Sequence, residues 1–195
     1  DSRWGKESGR GLFYKGYIPT TRALYAGDCW QMDGTRTNII PYMIKQEIDG
    51  KTKRRECYMY KVVVRDVHSG DVLGVHYGTG EDRWAYIHAL KMAVATTGYL
   101  PYELVLDHFP GWNAQEWQNI EQRLKHTGTK VTYTSDAQAK GKLERWFDTL
   151  QLCFMQDSDK YYGQGVLSRR TYAWRSAEYL DAARKEAAAE GWDFQ

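Results

Sequence analysis

The sequence predicts an α/β fold with a mixed five-stranded sheet, an antiparallel meander followed by parallel strands, flanked by helices. Two observations predict it. Strand-like segments joined by short turns fill the first half of the chain, as in an antiparallel meander. Short apolar strands alternate with amphipathic helices in the second half, as in parallel strands joined by helical crossovers. The expected order is three strands, helix, strand, helix, strand, helix.

The antiparallel part is predicted from strand patterns and turn residues. The first strand covers 28–35, where apolar and polar residues alternate. The excursion over 38–56 predicts a hairpin whose tip is the Asp49-Gly50 pair. The second and third strands, over 57–67 and 72–77, are rich in β-branched and aromatic residues.

The second half is predicted from helix caps and apolar periodicity. Asp82 is the expected N-cap of a helix that Gly98 ends. Further elements are expected at these positions: a strand over 102–106, a helix from Asn113 or Ala114, a strand over 129–133, a helix from Gln138 or Gly141 whose apolar stripe reaches Phe154, and a final helix over 172–190. We expect Trp30, Trp84, Trp117, Trp146 and Cys153 to be core residues.

Length and composition predict one domain with extensions, and because the chain opens at Asp1 without an initiator Met we expect it to be a piece of a longer protein. Of 195 residues, 42% are hydrophobic and 14% aromatic, which suffices for a core. No run of 18 apolar residues occurs, so no membrane span is expected. Three widely spaced cysteines argue against a disulfide framework and for a reducing compartment. We divide the chain into a basic, glycine-containing arm (1–22), a core domain (23–157) and an extension with a helix (158–195).

Three carboxylates have positions that suit metal binding. Asp33 lies on the polar face of the first strand, Asp107 follows a buried strand, and Glu144 lies beside the apolar stripe of a helix. Carboxylate oxygens suit hard divalent cations, and two such ions can clamp the attacking and leaving oxygens of a phosphoryl transfer. The chain has 25 acidic residues, so position alone also allows turn, cap or solvated roles.

Residues 25–155 resemble the catalytic core of the retroviral integrase and DDE transposase superfamily, which has an RNase H-like fold. Three motifs carry the resemblance: Trp30-Gln-Met-Asp-Gly-Thr35, Leu104-Val-Leu-Asp107 and Ala139-Lys-Gly-Lys-Leu-Glu-Arg-Trp-Phe147. The interval of 37 residues between Asp107 and Glu144 is also typical of the family. The resemblance implies that Asp33, Asp107 and Glu144 are catalytic and bind two Mg²⁺ or Mn²⁺ ions. It further implies hydrolysis at DNA ends and strand transfer by the freed 3′-hydroxyl.

The chain departs from the family pattern at three places. His108 and Phe109 follow Asp107 where many integrases have Asn-Gly, and Gln151 stands where several members have a basic residue. The excursion over 36–56 is longer than in retroviral integrases and looks more like the phage Mu type of transposase.

Basic and aromatic residues near the acids are candidate DNA contacts. Lys140, Lys142 and Arg145 flank Glu144 and are expected to contact phosphates, against the alternative of a solvated helical turn. Lys53, Arg54 and Arg55 follow the hairpin tip and are equally compatible with solvent exposure or DNA contact. His108, with Trp112 and Asn113, could contact a DNA end or a flipped base, or simply pack within its loop.

The sequence therefore predicts a metal-dependent DNA transposase or integrase domain. Two alternatives remain open: an RNase H-like nuclease without strand transfer, and a catalytically silent DNA-binding or assembly domain. The net charge of only +2 does not by itself indicate nucleic-acid binding. Expected partners are DNA ends, target DNA and further copies of the chain in a synaptic complex. The expected location is the cytoplasm of a bacterial or phage-infected cell, in association with the nucleoid.

Overall fold

A five-stranded mixed sheet in the order β5-β4-β1-β6-β7 forms the centre of the computed structural model. The structure describes residues 23–39, 42–48, 50–134, 141–155, 158, 161 and 176–189. The strands are β1 (Cys29–Arg36), β2 (Tyr42–Ile48), β3 (Lys51–Cys57), β4 (Tyr60–Asp66), β5 (Val72–Gly78), β6 (Glu103–Leu106) and β7 (Lys130–Tyr133). The helices are α1 (Arg83–Thr97), α2 (Gln115–His126), α3 (Gly141–Leu150) and α4 (Ala177–Ala189).

The sheet confirms the predicted meander followed by parallel strands. β1 pairs antiparallel with β4, and β4 pairs antiparallel with β5. β6 pairs parallel with both β1 and β7. The predicted hairpin is also present, because β2 and β3 form a separate two-stranded sheet around Gly50, whose φ is +69°.

The strand expected over 57–67 is divided in the structure. Cys57 ends β3, and β4 begins at Tyr60. The chain leaves the two-stranded sheet here and enters the five-stranded one, so one continuous strand would have to belong to both. The β-propensity of this segment gave no sign of the change of sheet.

Two aspartates close turns beside the sheet. The Asp66 carboxylate accepts hydrogen bonds from the backbone N–H groups of Gly27, His68 and Ser69. The Asp28 carboxylate accepts from Leu24 and Tyr25 N–H groups at 2.7 and 2.9 Å. These bonds satisfy backbone donors that the strands leave unpaired.

Helix α1 begins and ends where its caps predict. The Asp82 carboxylate accepts from Trp84 and Ala85 N–H groups at 2.9 and 3.0 Å, and Gly98 ends the helix with φ +78°. Helix α2 follows Ala114, also as predicted.

The main core lies between one face of the sheet and helices α1 and α2. Trp30, Met32, Leu104 and Leu106 point from β1 and β6 into this core, where each is completely buried. Tyr86, Phe109 and Trp117 pack against them from the helices and the loop after β6. Alternation along β1 therefore directs its other residues, Asp33 among them, to the opposite face.

Helix α3 covers that opposite face with a smaller apolar cluster. Leu143 and Phe147 pack against Val63 of β4, with Val75 and Trp146 at the margin. The completely buried Lys61 of β4 lies below the same helix, with its Nζ 5.4 Å from the Phe147 ring centre and 6.0 Å from that of Trp146.

Three expected core residues are exposed. Phe154 and Cys153 lie in a π-helical turn, Gln151–Met155, that continues α3. A π-helical turn contains more residues than an α-helical one, so it rotates later residues away from the apolar stripe. Trp84 is 47% exposed because the buried face of α1 runs through Tyr86, Leu90 and Ala93.

Several predictions lie outside the described residues. These are the arm over 1–22, most of residues 158–175 in the extension, Lys140, and the side chains of Arg54 and Arg55. The final helix is described as α4, which is shorter than the expected 172–190 and lies next to β2. In the described part of the chain, no helix is long and apolar enough to cross a membrane.

Replacing Lys61 with Met is expected to stabilise the protein at pH 7. Burial lowers the pKa of Lys61 from 10.5 to about 8, and no carboxylate of the described residues offsets that effect. Removing the buried ammonium should raise the free energy of unfolding by about 2 kcal/mol in urea titrations. Because the folded pKa is the lower one, wild-type stability should also rise relative to Lys61→Met as pH increases from about 8 to 10.5.

The matched control is Lys91→Met on the exposed side of α1. It should change stability by less than about 0.5 kcal/mol. A destabilised Lys61→Met variant would show that the ammonium has a favourable role beneath α3.

Candidate functional site

Asp33, in the middle of β1, and Asp107, directly after the carboxyl end of β6, lie side by side on neighbouring parallel strands. The register of β1 and β6 pairs Met32 with Leu106, and the residue that follows each of them is an aspartate. Neighbouring strands are about 4.8 Å apart, so the two residues are adjacent across the sheet. Both are half-buried, and Asp107 Oδ1 accepts a hydrogen bond from the His108 N–H at 2.6 Å. We call this place, Asp33 with Asp107, the acidic edge.

Asp33 emerges on the sheet face that α3 covers. Its partner in the antiparallel register is Val63, and paired residues share a face. Val63 packs against Leu143 and Phe147 of α3. The helix that carries Glu144 thus lies over the same face as Asp33.

A buried phenol and a third carboxylate lie next to the acidic edge. The completely buried Tyr86 donates a hydrogen bond from its hydroxyl to Glu81 Oε1 at 2.7 Å. Burial, the Glu81 carboxylate, and then the charges of Asp33 and Asp107 raise the pKa of Tyr86 well above its ordinary value. Tyr86 is therefore a neutral hydrogen-bond donor, and Glu81 belongs to the surroundings of the acidic edge.

Glu81 fits there because residue 34 is glycine. A Cβ on Gly34 would overlap the carboxyl carbon of Glu81. Sequence reasoning missed Glu81 because it preceded Asp82, whose N-cap pattern explained that segment. The signal that was available is the glycine directly after Asp33, which indicates close approach of another group.

Glu144 is exposed on the first turn of α3 and does not join the two aspartates. In the part of the chain that the structure describes, no group of three or more Asp, Glu, His or Cys side chains is arranged to hold a metal ion. The structure thus brings two of the three proposed ligands together. Their role as metal ligands stays a prediction.

Hydrogen bonds explain the position of this turn. Lys142 Nζ donates to the Val67 carbonyl at 2.7 Å, and an Arg65 guanidinium N–H donates to the Lys142 carbonyl at the same distance. The backbone N–H of Val67 in turn donates a hydrogen bond to the carbonyl of Cys29, at the start of β1. Asp33 lies four residues after Cys29 in β1, which is about 13 Å away along an extended strand.

The proposed DNA contacts lie in three places. Lys142 and Arg145 are exposed on the first turn of α3, although the Lys142 ammonium is bonded as described. Lys53 is exposed on β3 of the hairpin, opposite Gln46. His108 is exposed directly after Asp107. Their contacts with DNA stay predictions.

Comparison with known proteins agrees with this architecture. No protein-family model matches the sequence, and no curated protein is similar enough to match. A similar solved structure is a cryo-EM structure of the simian T-cell lymphotropic virus intasome in complex with PP2A regulatory subunit B56 gamma, with a TM-score of 0.51 and 20% identity. The fold is RNase H-like. The similarity covers 84% of this chain and 49% of the other, so this chain spans about half of that chain's length. At 20% identity this similarity shows that the fold is integrase-like, and it gives no information about activity.

Substituting Gly34 with Ala is expected to displace Glu81 and break its hydrogen bond with Tyr86. The buried phenol would lose its acceptor, so we expect a loss of about 1–3 kcal/mol in the free energy of unfolding. Urea denaturation measures it. In a Glu81→Ala background the added methyl meets no carboxylate, and the same substitution should then cost less than about 1 kcal/mol.

Gly80→Ala is the matched control, since nothing lies within 4 Å of a Cβ at that position. It should leave stability within about 0.5 kcal/mol of wild type. Equal losses for Gly34→Ala with and without Glu81 would contradict the proposed clash.

Proposed function

We propose that this chain is the catalytic domain of a metal-dependent DNA transposase or integrase, which cleaves DNA ends and joins them to a target. One observation carries the proposal: Asp33 of β1 is adjacent to Asp107, which directly follows the carboxyl end of β6, in an integrase-like fold. Ligand sites in open α/β sheets occur at such strand ends. The motif around Glu144 supplies the third acid.

The donor set fits Mg²⁺ or Mn²⁺. Asp33 and Asp107 offer carboxylate oxygens on two rigid strands, and no soft sulfur or imidazole ligand is required. In the proposal, Asp33, Asp107 and Glu144 hold two ions, which when bound would stabilise the charge that develops on the reacting phosphate. Tyr86 and Glu81 would keep the base of the site ordered through their hydrogen bond.

Glu144 would have to approach the aspartates for this site to be complete. Its approach would require the first turn of α3 to leave the Lys142–Val67 and Arg65–Lys142 hydrogen bonds. Both bonds involve exposed or half-buried side chains, so exchanging them for contacts with DNA phosphates would cost little, whereas the buried Leu143 of the same turn would have to keep its packing against Val63. In this proposal DNA and cations order the α3 turn together.

The proposed partners are two DNA ends, a target DNA and further copies of the chain. The neighbour of known structure is part of an intasome, which supports this by analogy of fold. The exposed position of Glu144 favours one alternative, a domain that binds DNA or assembles without catalysis.

Asp107→Asn and Glu144→Gln should each weaken Mn²⁺ binding by more than about tenfold, measured by calorimetry on the purified chain. Both should abolish joining of a duplex with recessed 3′ ends to a plasmid. Asp181→Asn on α4 is the matched control, because its side chain is 67% exposed, and it should leave both properties unchanged.

The possible results separate the alternatives. Cleavage of DNA without joining would indicate a nuclease. The catalytic proposal is wrong if Mn²⁺ binds no site that depends on Asp107 and Glu144.

A further inference from the structure

Three aromatic rings form a surface feature beside the acidic edge. His108 stacks on Tyr133 with ring centres 4.9 Å apart and planes 9° apart. Trp112 packs on His108 at 4.5 Å and on Tyr133 at 5.6 Å. His108 and Trp112 are exposed, with Trp112 at 37%. We call His108, Trp112 and Tyr133 the aromatic shelf.

The loop that carries His108 and Trp112 is anchored to the protein interior. Between them, Phe109 is buried and stacks on Tyr86 with ring centres 3.7 Å apart. Gly111 adopts φ +86° against the Arg83 side chain, and Gln118 donates to the Trp112 carbonyl at 2.9 Å. The rings are therefore held in place before any ligand arrives.

Tyr133 is fixed by a polar network behind the aromatic shelf. Its hydroxyl accepts from Trp117 Nε1 at 2.8 Å and donates to Glu121 Oε2 at 2.6 Å. Glu121 is itself buried and paired with Lys125. Holding a surface ring in this way lowers the entropy lost when a ligand stacks on it.

The proposed chemistry suggests what stacks there. Hydrolysis near a 3′ end removes nucleotides from one strand and leaves bases of the other strand unpaired. An unpaired base exposes both faces, and aromatic side chains bind such faces with little dependence on sequence. His108 directly follows Asp107, so the aromatic shelf lies next to the acidic edge.

We propose that the aromatic shelf stacks an unpaired base of the uncut DNA strand beside the acidic edge. This inference rests on the proposed function, because it takes its ligand from DNA end cleavage. The aromatic shelf binds the overhang, and the phosphodiester reacts at the aspartates.

The test compares two DNA probes in the absence of divalent cations. One duplex has an unpaired 5′ overhang with 2-aminopurine at its first unpaired position, and the other has the same duplex closed by hairpins. Trp112→Ala should weaken binding of the overhang probe about tenfold or more and leave the closed probe unchanged. Trp112→Phe should retain most of the affinity, because phenylalanine still stacks.

Tyr102→Ala is the matched control, since Tyr102 is 72% exposed at the other end of β6. It should affect neither probe. Equal weakening of both probes by Trp112→Ala, or no weakening of either, would overturn the proposal and leave loop packing as the role of these rings.

Binding without cations makes this result independent of catalysis. If Trp112→Ala weakens binding of the overhang probe alone and the protein binds no Mn²⁺, the result would support the aromatic shelf in a non-catalytic DNA-binding domain. If the protein joins DNA in the presence of Mn²⁺ but Trp112→Ala affects both probes equally or neither, the result would support the catalytic proposal and reject the aromatic shelf.

Discussion

The parallel register of β1 with β6 is the constraint on which the acidic edge depends. Met32 lies opposite Leu106, and both side chains are completely buried against α1 and α2. A slip of one residue would send every side chain of one strand to the other face, which would expose apolar residues and bury polar ones. Core packing therefore fixes the alignment of Asp33 with Asp107, although neither aspartate belongs to the core.

The two faces of the sheet are stabilised by different interactions. Helices α1 and α2 cover one face with a large apolar core, and Tyr86 links that core to the acidic edge. Helix α3 covers the other face with few apolar side chains, a buried ammonium at Lys61, and hydrogen bonds at its first turn. Directional bonds near solvent are exchanged more readily than a packed core. The first turn of α3, which carries Glu144, is held partly by bonds of this kind, whereas β1 is held by the main core.

The sequence was sufficient to predict the structure at positions where a local rule, such as helix capping, determines it. Asp82 and Gly98 end α1 as expected because capping depends on a few neighbouring residues. The order of strands and helices along the chain could also be predicted, since it follows from apolar periodicity and turn residues. Two other features could not be predicted, one because it depends on contact between distant segments and one because apolar periodicity does not indicate a π-helical turn. The place of Glu81 follows from its approach to Gly34, and the exposure of Phe154 follows from a π-helical turn.

The exposed position of Glu144 agrees with the electrostatic repulsion expected from the carboxylates that the sheet brings together. Asp33, Asp107 and Glu81 all lie near Tyr86, close enough to oppose its ionisation. Another carboxylate entering this region would be repelled by the same charges. A divalent cation reverses the sign of that interaction, because its charge exceeds that of any single neighbour. The fold thus holds Asp33 and Asp107 in place through the pairing of β1 with β6, whereas Glu144 is exposed on the first turn of α3, away from their negative charge.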